Sequence, residues 1–190
     1  VTGVQTCALP IWLQDSTKAE KLLNGIDKIL SISIENEPGE VSLAAVYLSP
    51  GDDCYNALKG LFQSVQKSAD ICVYTISDDR VVYEIEKAYF RGIKIRIITD
   101  DERTKDAGSD IFRLADKGID VITDNSPYHM HHKFCIFDNK VLVTGSYNWT
   151  RNASMQNQEN MLISNDKRFV EPFIMEFEKL YSILSNSIVH

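Results

Sequence analysis

The stretch "ICVYTISDDRVVYEIEKAYFRGIKIRIITD", Ile71 to Asp100, joins two short apolar runs through an amphipathic segment. The apolar runs are rich in β-branched residues, which is typical of buried strands. The segment between them, residues 78–92, predicts a helix, and Ser77 is a suitable N-cap for it. A strand, a helix and a second strand in this order predict two parallel neighbours in one sheet.

The alternation of strands and helices continues on both sides of this stretch. The predicted strands are 41–49, 71–76, 93–100, 119–123, a hairpin over 133–145 that turns near Asp138 and Asn139, and 159–164. The predicted helices are 56–69, 78–92, 110–118 (closed by Gly118) and 167–184. This pattern predicts an α/β fold, with a mixed, largely parallel β-sheet flanked by helices on both faces.

The N-terminal part of the chain differs from the rest. Residues 1–11 resemble the translation of a sequencing adapter, and we expect them to be an artefact. Residues 12–40 predict a helix followed by a linker, 41–185 form the α/β domain, and 186–190 form a tail. We therefore expect that the natural N-terminus, with any signal peptide, anchor or further domain, is missing before Trp12.

Composition excludes several classes of protein. Apolar residues make up 44% of the 190 residues and charged residues 25%, which is typical of a globular domain. The formal net charge of -7 has the wrong sign for a protein that coats nucleic acid nonspecifically. No apolar run approaches the roughly 20 residues that span a bilayer. The four cysteines show no C-x-x-C spacing, which argues against a zinc ribbon and favours a reducing compartment.

Three of the four histidines lie close together, at positions 129, 131 and 132. Alternation along a strand places His131 and Lys133 on one face and His132 on the other. His129 precedes the regular strand, so its direction stays open. A metal site is the obvious alternative, but Lys133 would compete as a cation and no carboxylate or cysteine lies at a usual ligand spacing. We therefore expect no metal ion and no cofactor.

The histidine cluster is followed by "GSYNWT", Gly145 to Thr150. The combined pattern is H-x-K-x(4)-D-x(6)-G-S-x-N, and its fixed positions are His131, Lys133, Asp138, Gly145, Ser146 and Asn148. This pattern resembles the signature of the phospholipase D superfamily over roughly residues 44–184. The flanking residues resemble the single-motif members, namely small bacterial endonucleases and the Zucchini/mitochondrial cardiolipin hydrolase group. In "NQEN", Glu159 matches an acidic position downstream of the signature.

The resemblance implies a metal-independent phosphodiesterase in which His131 forms a covalent phosphohistidine. It also implies that Lys133, Ser146 and Asn148 hold the nonbridging oxygens. Glu159 would accept a hydrogen bond from the far nitrogen of the His131 ring. Asp138, at the predicted turn, and Gly145 are expected to be structural.

The resemblance also implies a homodimer. The mechanism needs two histidines and the signature occurs once, so His131 of a second subunit would complete a shared active site. The alternatives are His129 or His132 of the same chain. His132 is disfavoured because its side chain points to the opposite face of the strand. His129 is disfavoured because it would be crowded by His131 on the same strand.

The expected substrate is a phosphodiester of nucleic acid, either single- or double-stranded, as for the small endonucleases. The alternative is a phospholipid, as for a phospholipase D or cardiolipin hydrolase. A lipid substrate would favour an apolar mouth, which the sequence does not show. A noncatalytic homologue is the third possibility, and the intact signature argues against it. The sequence does not decide the localisation, and both the cytoplasm and the periplasm of a bacterium stay possible.

Two further features have alternatives. Asp100 to Asp106 reads as a solvated charged loop, although Arg103 and Lys105 could line a substrate groove. Trp149 could stack on a base, but a packing role is the better prediction.

Overall fold

The computed structural model describes residues 43–101, 110–124 and 126–187. Its strands in these ranges are β1 (Ala44–Leu48), β2 (Ser68–Val73), β3 (Lys94–Thr99), β4 (Asp120–Thr123), β5 (Lys133–Phe137), β6 (Val141–Gly145) and β7 (Asn160–Ser164). Its helices there are α1 (Asp53–Ser64), α2 (Asp79–Phe90), α3 (Ile111–Asp116), α4 (Arg151–Met155) and α5 (Lys167–Ser187).

The strands form one sheet in the order β1-β7-β6-β5-β2-β3-β4. Only the β2–β3 and β3–β4 pairings are parallel among the described strands. The other four pairings are antiparallel. The α/β class and the mixed sheet are confirmed, but the prediction of a largely parallel sheet is wrong.

The connections explain this difference. Parallel neighbours need a crossover long enough to return the chain, and α2 and α3 provide it between β2 and β3 and between β3 and β4. No helix lies between β4 and β5 in the residues that the structure describes. The turn from β5 to β6 uses Asp138 and Asn139 at φ 54° and 55°, the left-handed geometry of a tight hairpin. The predicted hairpin is confirmed, and it forces an antiparallel pairing.

Side chains of β5 alternate between two apolar clusters. Cys135 and Phe137 belong to the cluster on the face covered by α1 and α2. Phe134 and Ile136 belong to the opposite cluster, where Phe177 of α5 packs. Helices on both faces are therefore confirmed, and β5 has no solvated face because both of its faces are covered.

Two element boundaries differ from the prediction. The N-cap of α2 is Asp78 and not Ser77, because the Asp78 carboxylate accepts a hydrogen bond of 3.0 Å from the Arg80 backbone N–H. The helix predicted over 56–69 ends at Ser64, because Ser68 already begins the β2 ladder.

Several expectations lie outside the described residues. These are the adapter-like segment 1–11, the helix and linker over 12–40, and the suggested groove residues Arg103 and Lys105. In the described part of the chain, no helix is both long and apolar enough to cross a bilayer.

Candidate active site

The signature residues gather at one end of the sheet, because neighbouring strands run in opposite directions there. Val73, at the end of β2, pairs with Lys133, at the start of β5. Gly145, at the end of β6, pairs with Met161 near the start of β7. The ends of β2 and β6 therefore lie beside the starts of β5 and β7. This register brings the histidine segment and the loop after Gly145 to the same edge.

His131 and Lys133 are linked through their backbone and through Tyr74. The Lys133 ammonium donates a hydrogen bond of 2.8 Å to the backbone carbonyl of His131. It also lies 4.8 Å from the centre of the Tyr74 ring, within range of a cation–π interaction. The Tyr74 ring is 4.5 Å from the His131 ring, centroid to centroid. One buried aromatic side chain thus contacts both predicted catalytic residues.

The ammonium of Lys133 is unusually easy to deprotonate. Burial lowers its pKa to about 8, although the carboxylates of Glu159 and Asp100 oppose the shift. A lysine with this pKa is charged in neutral solution and loses its charge in mildly alkaline solution. The charge that could hold a phosphate at this site is therefore pH-dependent.

This pKa predicts an alkaline decline in activity. Because only the protonated Lys133 can hold an anionic oxygen, kcat/KM for a phosphodiester should fall as pH rises through about 8. A pH profile of kcat/KM would measure it. The Lys133→Arg variant, which stays charged, should retain its residual activity above this pH. A wild-type profile that stays flat to pH 10 would contradict the assignment.

Position 145 requires glycine because there is no room for a side chain. A Cβ atom at this position would lie 2.2 Å from the backbone oxygen of Asn160, well inside contact distance. The close approach lets the chain form a dense set of bonds to β7. The Ser146 N–H donates to the Asn160 carbonyl at 3.1 Å, and the Asn160 N–H donates to the Ser146 hydroxyl at 3.1 Å. The exposed Ser146 is therefore fixed in position.

Side chains of the loop after Ser146 point alternately into the core and toward the site. Tyr147 and Trp149 are buried, and the Trp149 ring packs edge-on against Phe62 at 5.9 Å. The packing role of Trp149 is confirmed. Asn148, between them, is half-buried, and its Oδ1 is buried without a hydrogen-bond partner among the residues that the structure describes. A buried acceptor without a partner is uncommon and marks this side chain as a candidate for ligand contact.

Glu159 is held by the loop that follows β1. Its backbone N–H donates to the Ser49 hydroxyl at 3.0 Å, and its backbone carbonyl accepts from the Ser49 N–H at 3.0 Å. Its carboxylate accepts a hydrogen bond of 3.1 Å from the Asn157 side chain and acts electrostatically on Lys133. The expected bond from the His131 ring to Glu159 stays a prediction.

Asp138 lies at the other end of β5 from His131. Its carboxylate accepts hydrogen bonds from the backbone N–H groups of Gln66, Lys67 and Ser68, at 3.0, 2.6 and 3.0 Å. These bonds lower the pKa of Asp138 against the effect of its burial. The geometry ties the hairpin to the start of β2 and gives Asp138 no part at the His131 end.

Sequence reasoning missed two side chains at this edge, Tyr74 and Asp100. Asp100 is 1% exposed, so it is not part of a solvated loop. Its Oδ2 lies 3.1 Å from Nδ1 of His129 and accepts from the Met130 N–H at 3.1 Å. Both residues follow the last paired residues of buried strands, β2 and β3. That position was the available signal, because strand ends in α/β proteins frequently carry ligand-binding groups.

Three carboxylates, those of Asp100, Asp101 and Asp124, have oxygens within 4.8 Å of one another. Hydrogen bonds within the protein engage the carboxylates of Asp100 and Asp124. Besides the bonds of Asp100, the Asp101 N–H donates to Asp124 at 3.0 Å. Burial, with the charges of the other two, raises the pKa of Asp124. This cluster adjoins the histidine segment through the contact of Asp100 with His129.

Comparison with known proteins identifies the family. The family described as "Cardiolipin synthase, PLD-like domain" matches residues 58–181, which include every signature position. The chain belongs to the phospholipase D-like family. The resemblance inferred from the signature is thereby confirmed.

Relatives and solved structures agree with this assignment. The mitochondrial cardiolipin hydrolase of Chlamydomonas reinhardtii is 38% identical over 120 residues, which are 63% of this chain and 54% of that protein. The phospholipase D family member Nuc from Salmonella typhimurium superposes with a TM-score of 0.69 at 25% identity, over 74% of this chain and 95% of Nuc. NucT from Helicobacter pylori gives a TM-score of 0.68 at 27% identity, over 74% and 96%. The chain spans about half the length of the curated relatives that it matches.

Proposed function

We propose that this phospholipase D-like protein hydrolyses phosphodiester bonds through a covalent intermediate on His131. An imidazole nitrogen attacks phosphorus, the P–O bond to the leaving group breaks, and the leaving oxygen takes up a proton. Water then cleaves the P–N bond and restores His131. The observation that carries the proposal is the meeting of His131, Lys133 and the Ser146–Asn148 loop at one edge of the sheet.

Lys133, Ser146 and Asn148 hold the nonbridging oxygens in this proposal. Lys133 supplies the positive charge and Ser146 an exposed hydroxyl fixed by β7. Asn148 supplies an amide, whose NH₂ group is a hydrogen-bond donor. Donors fixed before the substrate arrives stabilise the charge of the pentavalent transition state without reorganisation. Glu159 orients the His131 ring.

A homodimer with a shared active site completes the proposal. Hydrolysis through phosphohistidine needs a second imidazole to supply and withdraw a proton, and one subunit carries the signature once. A twofold axis beside His131 would bring the second copy to the same phosphate and double the number of lysines there. Two copies of Lys133 at the site offset the negative net charge of the chain.

The dimer predicts a mass of about twice 21.6 kDa in analytical ultracentrifugation. A sharper measurement refolds wild-type and His131→Ala subunits together in varied ratios. If each site needs both copies of His131, activity should follow the square of the wild-type fraction. A linear dependence, or full activity in a monomer, would show that one subunit suffices.

The favoured substrate is a phospholipid. Curated relatives at 35–38% identity are named mitochondrial cardiolipin hydrolases, and one at 29% is named phospholipase D. The structure also supplies apolar side chains beside the site that the sequence did not reveal. Leu48, which precedes the Ser49 that binds Glu159, is 63% exposed, and Tyr128, beside His129, is 82% exposed. These side chains suit contact with acyl chains.

Nucleic acid is the second candidate substrate. The signature and its flanks resemble the small bacterial endonucleases, and the fold spans nearly the whole of Nuc and NucT. The positive charge for a polyanion would come from the site itself, because the net charge of the chain is -7.

Activity should survive chelation, because His131 and Lys133 supply the nucleophile and the charge. The purified protein is assayed in EDTA on cardiolipin vesicles, single-stranded DNA, duplex DNA and RNA, with His131→Ala as the blank. We expect release of a phosphatidyl product from the vesicles at a rate unchanged by EDTA. Turnover of the nucleic acids alone would make the second candidate correct. Loss of all activity in EDTA, restored by zinc or magnesium, would refute the histidine mechanism.

A further inference from the structure

A second imidazole lies against the same aromatic side chain as His131. The ring of His129 meets the Tyr74 ring edge-on at a centroid distance of 5.6 Å, while His131 meets it at 4.5 Å. Tyr74 is therefore a common contact of both histidines. Lys133, over the same ring at 4.8 Å, lies within that group.

His129 is oriented by a buried carboxylate. Asp100 follows β3 and is 1% exposed, and its Oδ2 is 3.1 Å from Nδ1 of His129. The Met130 N–H donates to the same oxygen at 3.1 Å, so the carboxylate is fixed from the backbone as well. A histidine with Nδ1 held by a carboxylate directs Nε2 away from it. The arrangement is typical of a functional histidine.

His129 and His131 do not crowd each other along one strand, contrary to what the sequence had suggested. His129 precedes β5, which begins at Lys133, and its ring turns toward Asp100. Its side chain is 49% exposed, so a ligand at the edge of the sheet can reach it. His132, in contrast, packs its ring against Phe134 on the opposite face.

We propose that His129, held by Asp100, is a further substrate-binding residue that donates from Nε2 to an anionic oxygen of the phosphodiester. The proposal rests on the proposed function, since it adds a contact to the same phosphate site. His129 acts in binding, while the proton transfers stay with the two copies of His131.

Charge balance at the site supports this role. Lys133 is the cation that the signature supplies, and the carboxylates of Asp100 and Glu159 both act on it. An incoming phosphate would be repelled by those carboxylates. The pairing of His129 with Asp100 engages that carboxylate and leaves Nε2 of His129 facing away from it, toward the phosphate site. The His129–Asp100 pair therefore favours the binding of an anion beside a buried carboxylate.

The test uses the full chain and two probes that are neither lipid nor nucleic acid. Inorganic phosphate is titrated calorimetrically into wild-type, His129→Gln, His129→Lys and His132→Gln protein. The KM and kcat for bis(p-nitrophenyl) phosphate are measured in parallel. His132→Gln is the matched control, because it changes a neighbouring histidine on the opposite face.

We expect His129→Gln to raise the Kd for phosphate and the KM roughly 10-fold, with kcat changed much less. His129→Lys should recover most of the loss, and His132→Gln should bind phosphate like the wild type. A Kd for His129→Gln within about twofold of the wild type, or no recovery with lysine, would overturn the proposal. A purely structural role would lower the melting temperature of both His129 variants alike. If phosphate binds as expected but no diester is hydrolysed, the proposed function fails and the anion contact stands.

Discussion

Replacing His131 with alanine should lower kcat by on the order of 10⁴-fold or more, as the loss of a covalent nucleophile does in other enzymes. Of the histidines that the structure describes, neither of the other two is placed to substitute for it, since His132 packs against Phe134 on the opposite face and His129 is held by Asp100. The measurement is single-turnover hydrolysis of a phosphodiester by the purified variant. Its melting temperature should stay near that of the wild type, because His131 is exposed.

The matched control for this experiment is His132→Ala. Its ring is partly buried against Phe134, and burial lowers the pKa of the imidazole. The substitution should therefore reduce stability while activity below the melting temperature changes little. Equal losses of activity in the two variants would mean that His131 and His132 are assigned to the wrong faces of the sheet.

Replacing Lys133 with methionine should lower kcat/KM by roughly 10²- to 10³-fold, the usual effect of removing one group that stabilises transition-state charge. Methionine keeps the apolar stem over Tyr74 but removes the ammonium that the His131 carbonyl and the Tyr74 ring hold in place. Steady-state kinetics on bis(p-nitrophenyl) phosphate would measure the effect.

Lys140→Met is the control, since Lys140 is an exposed lysine in the hairpin turn at the other end of β5. It removes the same charge from the chain and should change kcat/KM by less than about twofold, because exposed charges at a distance are screened. If both variants lost activity equally, Lys133 would act only through the overall charge and not through contact with phosphate.

The sequence predicted those parts of the site that depend on local geometry. Alternation along β5 correctly assigned Cys135 and Phe134 to opposite faces, since side-chain direction in a strand repeats every two residues. The hairpin turn at Asp138 and Asn139 was also predicted, because this residue pair tolerates positive φ.

The contacts of Tyr74 and Asp100 could not be predicted in this way. Asp100 lies 29 residues from His129 in the chain, and only the sheet order brings the two together. That order depends on β5 inserting beside β2 in antiparallel orientation, which no local pattern specifies. The same insertion adds an antiparallel pairing beside β2, although the strand–helix alternation around α2 correctly indicated parallel pairing for β2, β3 and β4.

Direct observation of the covalent intermediate tests the central claim, that His131 is the nucleophile. The wild-type protein is mixed with a phosphodiester, quenched in alkali within the first turnovers, digested and examined by mass spectrometry. We expect the peptide that contains His131 to gain the mass of a phosphoryl group that still carries one ester. The adduct should be labile in acid, and His131→Ala protein should lack it. Active protein that never accumulates an adduct under these conditions, or an adduct on His129 or His132 instead, would contradict the claim.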